Sequence, residues 1–316
     1  MVEHTWDWIM DISQTKAQLK ARAHDRHASR TAITISLLLA ILALTLAAYP
    51  FISQAIGDQT LQNTANQTHK PTPQDQRMTR DAQTYNQRLW IQRQPVLGGI
   101  QDPMSGSTDF TGDKDPDYNQ LLNTDGLGIM GSILIPRISV NLPIYHGATT
   151  DVLAHGIGHL PGSSLPVGGT NTRTVLTGHS NMRDATLFTR LPELTEGDPI
   201  YLTVAGRTLA YRVTGSQIVD PTDVNALRIR KGRDLVTLVT CTGMGNTKRL
   251  LVTAERNHMP DQVPYPWNAP KDRTRAWETA IGVTLATMLI GVTVILTAHR
   301  NRMFNQPHHL TERNNQ

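Results

Sequence analysis

The sequence contains little cysteine and few aromatic residues, and both shortages limit what the protein can be. Its 316 residues include a single cysteine, Cys241, so an intrachain disulfide is excluded. Aromatic residues make up only 5% of the chain, and no stacking motif accompanies its 30 lysines and arginines. Nucleic-acid-binding proteins combine a basic patch with such a recognition motif. We therefore predict no nucleic-acid partner, despite the net charge of +4.

Charge is missing from two long apolar segments near the ends of the chain. We predict transmembrane helices over residues 31–52 and 277–298, the second being free of charge from Thr279 to Ala298. Each is long enough to cross the hydrocarbon core of a bilayer. Neither has the polar face that a helix of a soluble protein keeps. The first also exceeds the apolar length of a cleaved signal peptide, and about 30 mostly polar residues precede it.

The basic residues around the first segment predict its orientation. Five lysines and arginines lie in residues 16–30, whereas the next basic residue after the segment is Lys70. Because cytoplasmic flanks are enriched in lysine and arginine, residues 1–30 should be cytoplasmic. A second crossing then returns residues 299–316 to the cytoplasm. We therefore expect a two-pass plasma-membrane protein whose central domain is extracellular.

The central part divides by composition into linkers and a β-rich domain. Residues 53–84 are mostly polar and are predicted to be a stalk, and residues 259–276 are a proline-rich linker. Between them, short runs rich in Val, Ile, Thr and Tyr alternate with Gly, Pro and Asp, a pattern typical of a sandwich or closed barrel. Ala205-Gly206 is predicted to be a hairpin turn, and residues 187–194 a helical interruption.

The single cysteine has a sequence context that favours reactivity. Cys241 ends the strand-like run 235–240 and precedes the flexible sequence TGMGN. A thiol with a pKa of about 8.5 is little ionised at neutral pH, so a nucleophilic cysteine needs a neighbouring base or cation. The alternative is that Cys241 is a small buried side chain in a membrane-tethered binding domain without catalysis.

His179 and Arg249 are the candidate partners of Cys241. His179 closes the strand-like run TRTVLTG and precedes a polar turn, so its setting repeats that of Cys241. Arg249 starts the next strand-like run, RLLVTAE, where its guanidinium can hold an oxyanion or a substrate backbone. The alternative for Arg249 is a solvated charge at a strand edge.

Other chemistry is less well supported by the sequence. His155 and His159 are four residues apart, but neither a carboxylate nor a cysteine completes a metal-binding set. Ser180 lacks the Gly-x-Ser-x-Gly context of a serine hydrolase. We predict neither a metal nor another cofactor.

These motifs together resemble the sortase family. TLVTCTG with Arg249 downstream, and VLTGHS upstream, are similar to the Cys, His and Arg signature of sortases. The segments YNQLLNTDGLGIMGSILIPRISVNLPIYHG, GIGHLPGSSLPVGG and LFTRLPELTEGD resemble the class C, pilus-assembly branch. The resemblance covers roughly residues 101–255. It implies a mainly β fold: a closed eight-stranded barrel over residues 126–258, with short helices and the two flanking membrane helices.

The resemblance also implies a reaction. In sortases of this kind the cysteine, here Cys241, attacks the Thr-Gly carbonyl of an LPXTG-like sorting signal to form a thioester. His179 would protonate the leaving amine, and Arg249 would steady the substrate and its oxyanion. A pilin lysine would then accept the acyl group. The expected partners are therefore pilins or surface proteins that carry such signals, and a housekeeping sortase that anchors proteins to cell-wall peptide is the second possibility.

Class C sortases also carry a lid before the barrel, and we assign residues 85–125 to an N-terminal helical and lid region. The matching motif is Asp102-Pro103-Met104, in which methionine replaces the usual aromatic residue. By this likeness Asp102 pairs with Arg249 and Met104 covers Cys241. Asp115-Pro116-Asp117 is a second Asp-Pro motif, but it lacks an apolar third residue.

Overall fold

The β-branched and aliphatic runs of the central sequence form the strands of a barrel in the computed structural model. The structure describes residues 34–35, 37–63, 65, 72–95, 115, 117–123, 126, 128–180, 186–261 and 274–304. The chain falls into two units, Ile52–Asp272 and a second unit made of Met1–Phe51 with Arg273–Gln316. The first unit holds the barrel, and the second holds most of the two apolar segments.

Eight strands close the barrel in the order β1-β2-β3-β4-β7-β8-β6-β5. Parallel pairing joins β2 to β3 and β4 to β7, and the other pairs are antiparallel. This confirms the closed eight-stranded barrel expected from the sequence. The strands are β1 (Ile129–Ile135), β2 (Val140–His146), β3 (Ile157–His159), β4 (Thr172–Thr177), β5 (Pro199–Val204), β6 (Arg207–Val219), β7 (Asp234–Thr242) and β8 (Lys248–Asn257).

Strands β4 and β7 are buried on both faces, and their sequences, TRTVLT and DLVTLVTCT, combine aliphatic residues with threonines. Their inward side chains, such as Leu176 and Leu238, belong to the main core inside the barrel. Their outward valines, Val175 and Val239, belong to a second apolar group, which we call the outer cluster, and Cys241 packs against it. The buried members of the outer cluster are Ala148, Leu153, Leu160, Val175, Leu227, Val239 and Leu251.

The turns between the strands agree with the sequence in one place and differ in another. Ala205 and Gly206 have φ angles of 46° and 67°, so β5 and β6 are joined by the predicted two-residue hairpin turn. Residues 187–194 form only a turn and a short 3-10 helix, Leu191–Glu193, rather than a longer helix. Pro192 is the reason, because a proline inside an α-helix has no N–H to donate and clashes with the preceding turn. Other 3-10 helices are Tyr118–Gln120, Pro136–Ile138, Val224–Leu227 and Met244–Asn246.

Helix α2 (Pro73–Ile91) is the main difference from the sequence prediction, which placed a polar stalk over residues 53–84. It begins with a capping box, in which the side chains of Thr72 and Asp75 each bind the other residue's backbone N–H. One face, formed by Ala82, Tyr85 and Leu89, is buried in the main core. Because these apolar residues recur at helical spacing, a mostly polar segment can pack on the barrel.

Three further helices complete the described structure. Helix α1 (Leu37–Asn63) and helix α4 (Thr274–Phe304) contain the apolar segments, and α3 (Thr150–His155) is a short helix beside β3. By length and composition α1 and α4 are apolar enough to cross a membrane. Their side chains are largely exposed, unlike those of a core helix in a soluble protein. Phe51 and Trp277 pack edge to face at 5.3 Å between ring centres within their unit.

Candidate active site

Cys241 and Arg249 are brought together by the antiparallel pairing of β7 and β8. The two residues lie directly opposite each other in the register of this pair. Opposed residues in antiparallel strands project to the same face, with Cα atoms about 5 Å apart. Cys241 is half-buried at the end of its strand, and Arg249 is only 7% exposed. Arg249 therefore lies on the same face of the sheet as the thiol, the arrangement in which a nearby cation favours a thiolate.

His179 reaches the same position from the other side of β7. Strand β4 runs parallel to β7 with Thr177 opposite Val239, and the Gly178 N–H donates to the Val239 carbonyl at 3.1 Å. The register brings His179 level with Cys241 on the neighbouring strand, at a spacing of about 4.8 Å between strands. Side chains that are level on neighbouring strands share a face. The three candidate residues thus meet on one face of β4, β7 and β8.

Two hydroxyl groups fix the backbones on either side of His179 and Cys241. Thr240 Oγ1 donates to the Gly178 carbonyl at 2.7 Å, and Ser180 Oγ donates to the Cys241 carbonyl at 3.0 Å. These side-chain hydrogen bonds link the chain after β4 to β7, beyond the last backbone pair of the two strands. The sequence motifs pointed to Ser180 only as a nucleophile and did not point to Thr240. One feature of the sequence could have indicated this role: Thr240 directly precedes Cys241, and Ser180 directly follows His179.

Gly178 allows Phe188 to pack closely against the backbone next to His179. A Cβ atom at this position would lie 2.7 Å from Ile157 and 2.8 Å from Phe188, both shorter than real contacts allow. Phe188 is fully buried, and its N–H donates to the His179 carbonyl at 3.1 Å. The buried aromatic ring therefore packs against the backbone that carries His179, and only glycine permits this packing.

Burial affects the charge of His179, and the turn between β7 and β8 orients Arg249. Half-burial lowers the pKa of His179 below its ordinary value of 6.5, because desolvation disfavours the imidazolium. At neutral pH its ring is therefore mainly uncharged and can accept a proton. Arg249 Nη1 donates to the carbonyls of Asn246 at 2.7 Å and of Lys248 at 2.9 Å, which orients the guanidinium within the turn.

The predicted lid residues Asp102, Pro103 and Met104 lie outside the described residues. The second Asp-Pro motif is partly described, and its carboxylates face helix α2. Arg88 lies 2.8 Å from Asp117 and 3.8 Å from Asp115. These two acidic residues thus pair with a helix that packs on the barrel.

The two histidines considered as a metal pair have separate surroundings. His155 is exposed at the end of α3, whereas His159 is fully buried in β3. The Nδ1 atom of His159 is 2.8 Å from the Tyr118 hydroxyl, and its Nε2 atom is 2.9 Å from the Ser164 carbonyl. Burial lowers the pKa of His159 to about 3. Within the described residues no cluster of three metal-ligating side chains occurs.

Comparison with known proteins agrees with the fold. A Sortase domain matches residues 133–257. Sortase A of Streptococcus agalactiae is 31% identical over 160 residues, which cover 47% of this chain and 63% of that protein. The crystal structure of sortase C-1 from Actinomyces oris is 40% identical and covers 58% of this chain and 99% of its own, with a TM-score of 0.52. The structure of Streptococcus pneumoniae sortase C is 32% identical and covers 65% of this chain and 98% of its own, with a TM-score of 0.52.

The barrel, the single cysteine at its rim and these matches define one class of protein, the sortase-type closed β-barrels. The chain belongs to the sortase family. Its structural neighbours include class C sortases. It spans 63% of the length of the curated sortase A it matches, less than two thirds.

Proposed function

We propose that this protein is a sortase-type cysteine transpeptidase whose nucleophile is Cys241. The observation that carries the proposal is the placement of the only thiol between a histidine and an arginine on adjacent strands. A thiol that served only as packing would not need a polar partner on each side. The alternative of a binding domain without catalysis predicts an inert Cys241.

The geometry supports a two-stage acyl transfer. Neutral His179 takes the proton of the Cys241 thiol, and the thiolate attacks the carbonyl carbon of the Thr-Gly bond in an LPXTG-like sorting signal. The C–N bond then breaks, His179 gives the proton to the leaving amine, and a thioester remains. An acceptor amine attacks the thioester, passes a proton to His179 and releases the thiolate. Arg249 stabilises the oxyanion of both tetrahedral intermediates.

For the acceptor we propose a pilin lysine, so that the product is an isopeptide bond between subunits. The likeness to class C sortases supports this choice, and the structure of the pneumococcal sortase C bears on pilin substrate specificity. The second candidate is anchoring of surface proteins to cell-wall peptide, because the curated relative from Streptococcus agalactiae is a sortase A. The two candidates differ only in the amine that resolves the thioester.

We also propose that the protein is a two-pass plasma-membrane protein with its barrel outside the cell. Two helices of suitable length and composition support the anchoring. The excess of basic residues before the first helix supports the orientation. The orientation can be tested with single cysteines introduced into the Cys241→Ala variant and treated with a membrane-impermeant maleimide. Labelling at an exposed barrel position, with protection in the N-terminal tail, is the expected result, and the reverse pattern contradicts the orientation.

The lid residues are also part of the proposal. Asp102 would pair with Arg249 and so hold Met104 over Cys241 in the resting enzyme. Asp102→Ala should then accelerate labelling of Cys241 by iodoacetamide, and equal labelling rates would exclude a lid function for these residues.

The full chain in detergent micelles allows the central test. Incubated with an LPXTG peptide, it should form a thioester that appears in the intact mass and disappears with hydroxylamine. Cys241→Ala should form no adduct and no product, and Cys241→Ser is the matched control for size. Retained transfer in Cys241→Ala contradicts the proposal. Competition between a lysine-bearing pilin peptide and a cell-wall peptide then identifies the acceptor.

A further inference from the structure

The segment that joins β6 to β7, residues 220–233, covers part of the face on which Cys241 lies. Its 3-10 helix places Leu227 in the outer cluster, and Val224 and Ala226 pack against that cluster. Cys241 packs against the same cluster. The surroundings of the thiol therefore depend on where this β6–β7 segment is held.

Side chains from outside the segment hold its backbone at two places. Arg173, which is 1% exposed on β4, donates from Nη1 to the Ala226 carbonyl. Gln94 Oε1 accepts the Ile229 N–H at 2.8 Å. A third contact runs the opposite way, since Arg228 Nη1 of the segment donates to the Arg93 carbonyl at 3.2 Å. Two of the three contacts thus come from the chain just after helix α2.

Gln94 is the centre of this connection. Its side chain is 3% exposed, and Nε2 donates to the Gly162 carbonyl at 3.1 Å while Oε1 holds Ile229. One amide therefore ties the β6–β7 segment to the connection between β3 and β4. The Gln94 N–H donates to the Leu89 carbonyl at 3.0 Å, which fixes the residue to the end of its helix.

Helix α2 is itself fixed to the same connection, so it can act as a support. Asn86 Nδ2 donates to the Leu165 carbonyl at 3.0 Å, and Asn86 Oδ1 accepts the Leu165 N–H at 2.7 Å. Asn86 and Gln94 are both buried, and a buried amide left without partners costs free energy. These bonds therefore select one position of α2 on the barrel and, through Gln94, one position of the segment above the outer cluster.

We propose that Gln94 is a positioning residue that holds the β6–β7 segment in place beside Cys241, so that helix α2 is a working part of the catalytic unit. This inference rests on the proposed transpeptidase function. The side-chain hydrogen bonds of Gln94 go to Gly162 and Ile229, not to Cys241 or its candidate partners. It acts through Ile229 and the apolar side chains that precede it in the segment.

The test compares three variants of the full chain. Gln94→Met keeps the approximate volume and removes both hydrogen bonds. Gln94→Glu keeps an acceptor for the Ile229 N–H but has no donor for the Gly162 carbonyl. Gln92→Ala is the control, because Gln92 is exposed and contributes to the helix end through its backbone.

We expect Gln94→Met to raise the KM for the sorting peptide about tenfold while kcat changes less than about twofold. Gln94→Glu should give an intermediate KM, and Gln92→Ala should match the parent protein. Hydrogen exchange of the Ile229 amide should accelerate at least about fivefold in Gln94→Met, whereas the amides of β7 should be unchanged.

The exchange measurement needs no substrate, so it separates this inference from the proposed function. If the parent protein forms no thioester, the proposed function fails while the positioning role is still decided by exchange. Unchanged exchange at Ile229 in Gln94→Met overturns the positioning role. So does a fall in apparent kcat in proportion to the unfolded fraction with KM unchanged, because that result describes general destabilisation.

Discussion

His179 and His159 lie near the ends of neighbouring strands, β4 and β3, yet their surroundings are opposite. His159 is fully buried, and both of its ring nitrogens contact polar atoms of Tyr118 and Ser164. His179 is half-buried, and its fixed contacts in the described structure are made by its backbone and its neighbours. A ring whose hydrogen-bonding groups are all occupied stabilises the fold, whereas a ring that is only positioned by its backbone can exchange protons.

The largest expected effect is a difference in acyl-transfer activity between variants of these two histidines. His179→Gln removes the group that moves the proton between thiol and amine, so the rate of acyl transfer should fall about a thousandfold. Its free energy of unfolding should change little, because the imidazole is half-buried. The measurement is product formation by mass spectrometry, with His159→Gln as the matched control. Equal loss of activity in the two folded variants would show that His179 has no special role.

The sequence predicted that His179, Cys241 and Arg249 lie close together, because their placement depends on strand ends. The sequence itself shows a cysteine, a histidine and an arginine at the ends of predicted strands. These strands pair with one another when the barrel closes. The role of His159 was not visible, because it depends on Tyr118, which lies 41 residues earlier in the chain. Gln94 was missed for the same reason, since its two partners are 68 and 135 residues away.

Helix α2 was predicted less well, although part of its signal is present in the sequence. The Thr72 and Asp75 pair has the spacing of a capping box, and Ala82, Tyr85 and Leu89 have helical spacing. The high content of glutamine and other polar residues suggested a stalk instead. Burial of only one narrow face on the barrel compensates for this polarity, and such tertiary packing cannot be read from local composition.

The next effect concerns the pH dependence of folding and depends on His159. Burial lowers its pKa from 6.5 to about 3, so the unfolded chain binds this proton more readily than the folded protein does. The contribution of neutral His159 to the free energy of unfolding is fully present above pH 6.5. It is lost as the pH falls towards the pKa of the folded protein. Between pH 7 and pH 5 the free energy of unfolding should decrease by about 2 kcal/mol.

Urea unfolding at the two pH values, followed by the circular dichroism of the barrel, measures this change. The lowered pKa of His179 contributes in the same direction. In His159→Gln most of the decrease should therefore disappear, and the remainder should be removed in the double variant with His179→Gln. A full decrease in the double variant would mean that other groups cause it.

A smaller effect is expected from the hydroxyl of Thr240. Thr240→Val keeps the shape of the side chain but removes the 2.7 Å bond to the Gly178 carbonyl, which lies beside His179. The carbonyl then loses a buried partner, which should cost about 1–2 kcal/mol of stability. Because His179 becomes less well positioned, kcat should fall about tenfold with little change in KM. Thr237→Val, on the same strand but four positions from Cys241, provides the control for stability.

The smallest effect compares the backbone support of Cys241 with that of His179. Ser180 Oγ donates to the Cys241 carbonyl at 3.0 Å, but Ser180 is half-buried, so water can replace the lost hydroxyl in Ser180→Ala. We expect kcat to fall about two- to threefold and the free energy of unfolding to change by about 0.5 kcal/mol. If Ser180→Ala instead abolished the acyl-enzyme adduct while Cys241→Ala still formed one, that adduct would be an oxygen ester and Ser180 would be the nucleophile, and the contact of Ser180 with the Cys241 carbonyl would have to break during the reaction. A loss larger than that of Thr240→Val, with the thioester still formed, would mean that the backbone of Cys241 needs firmer support than that of His179.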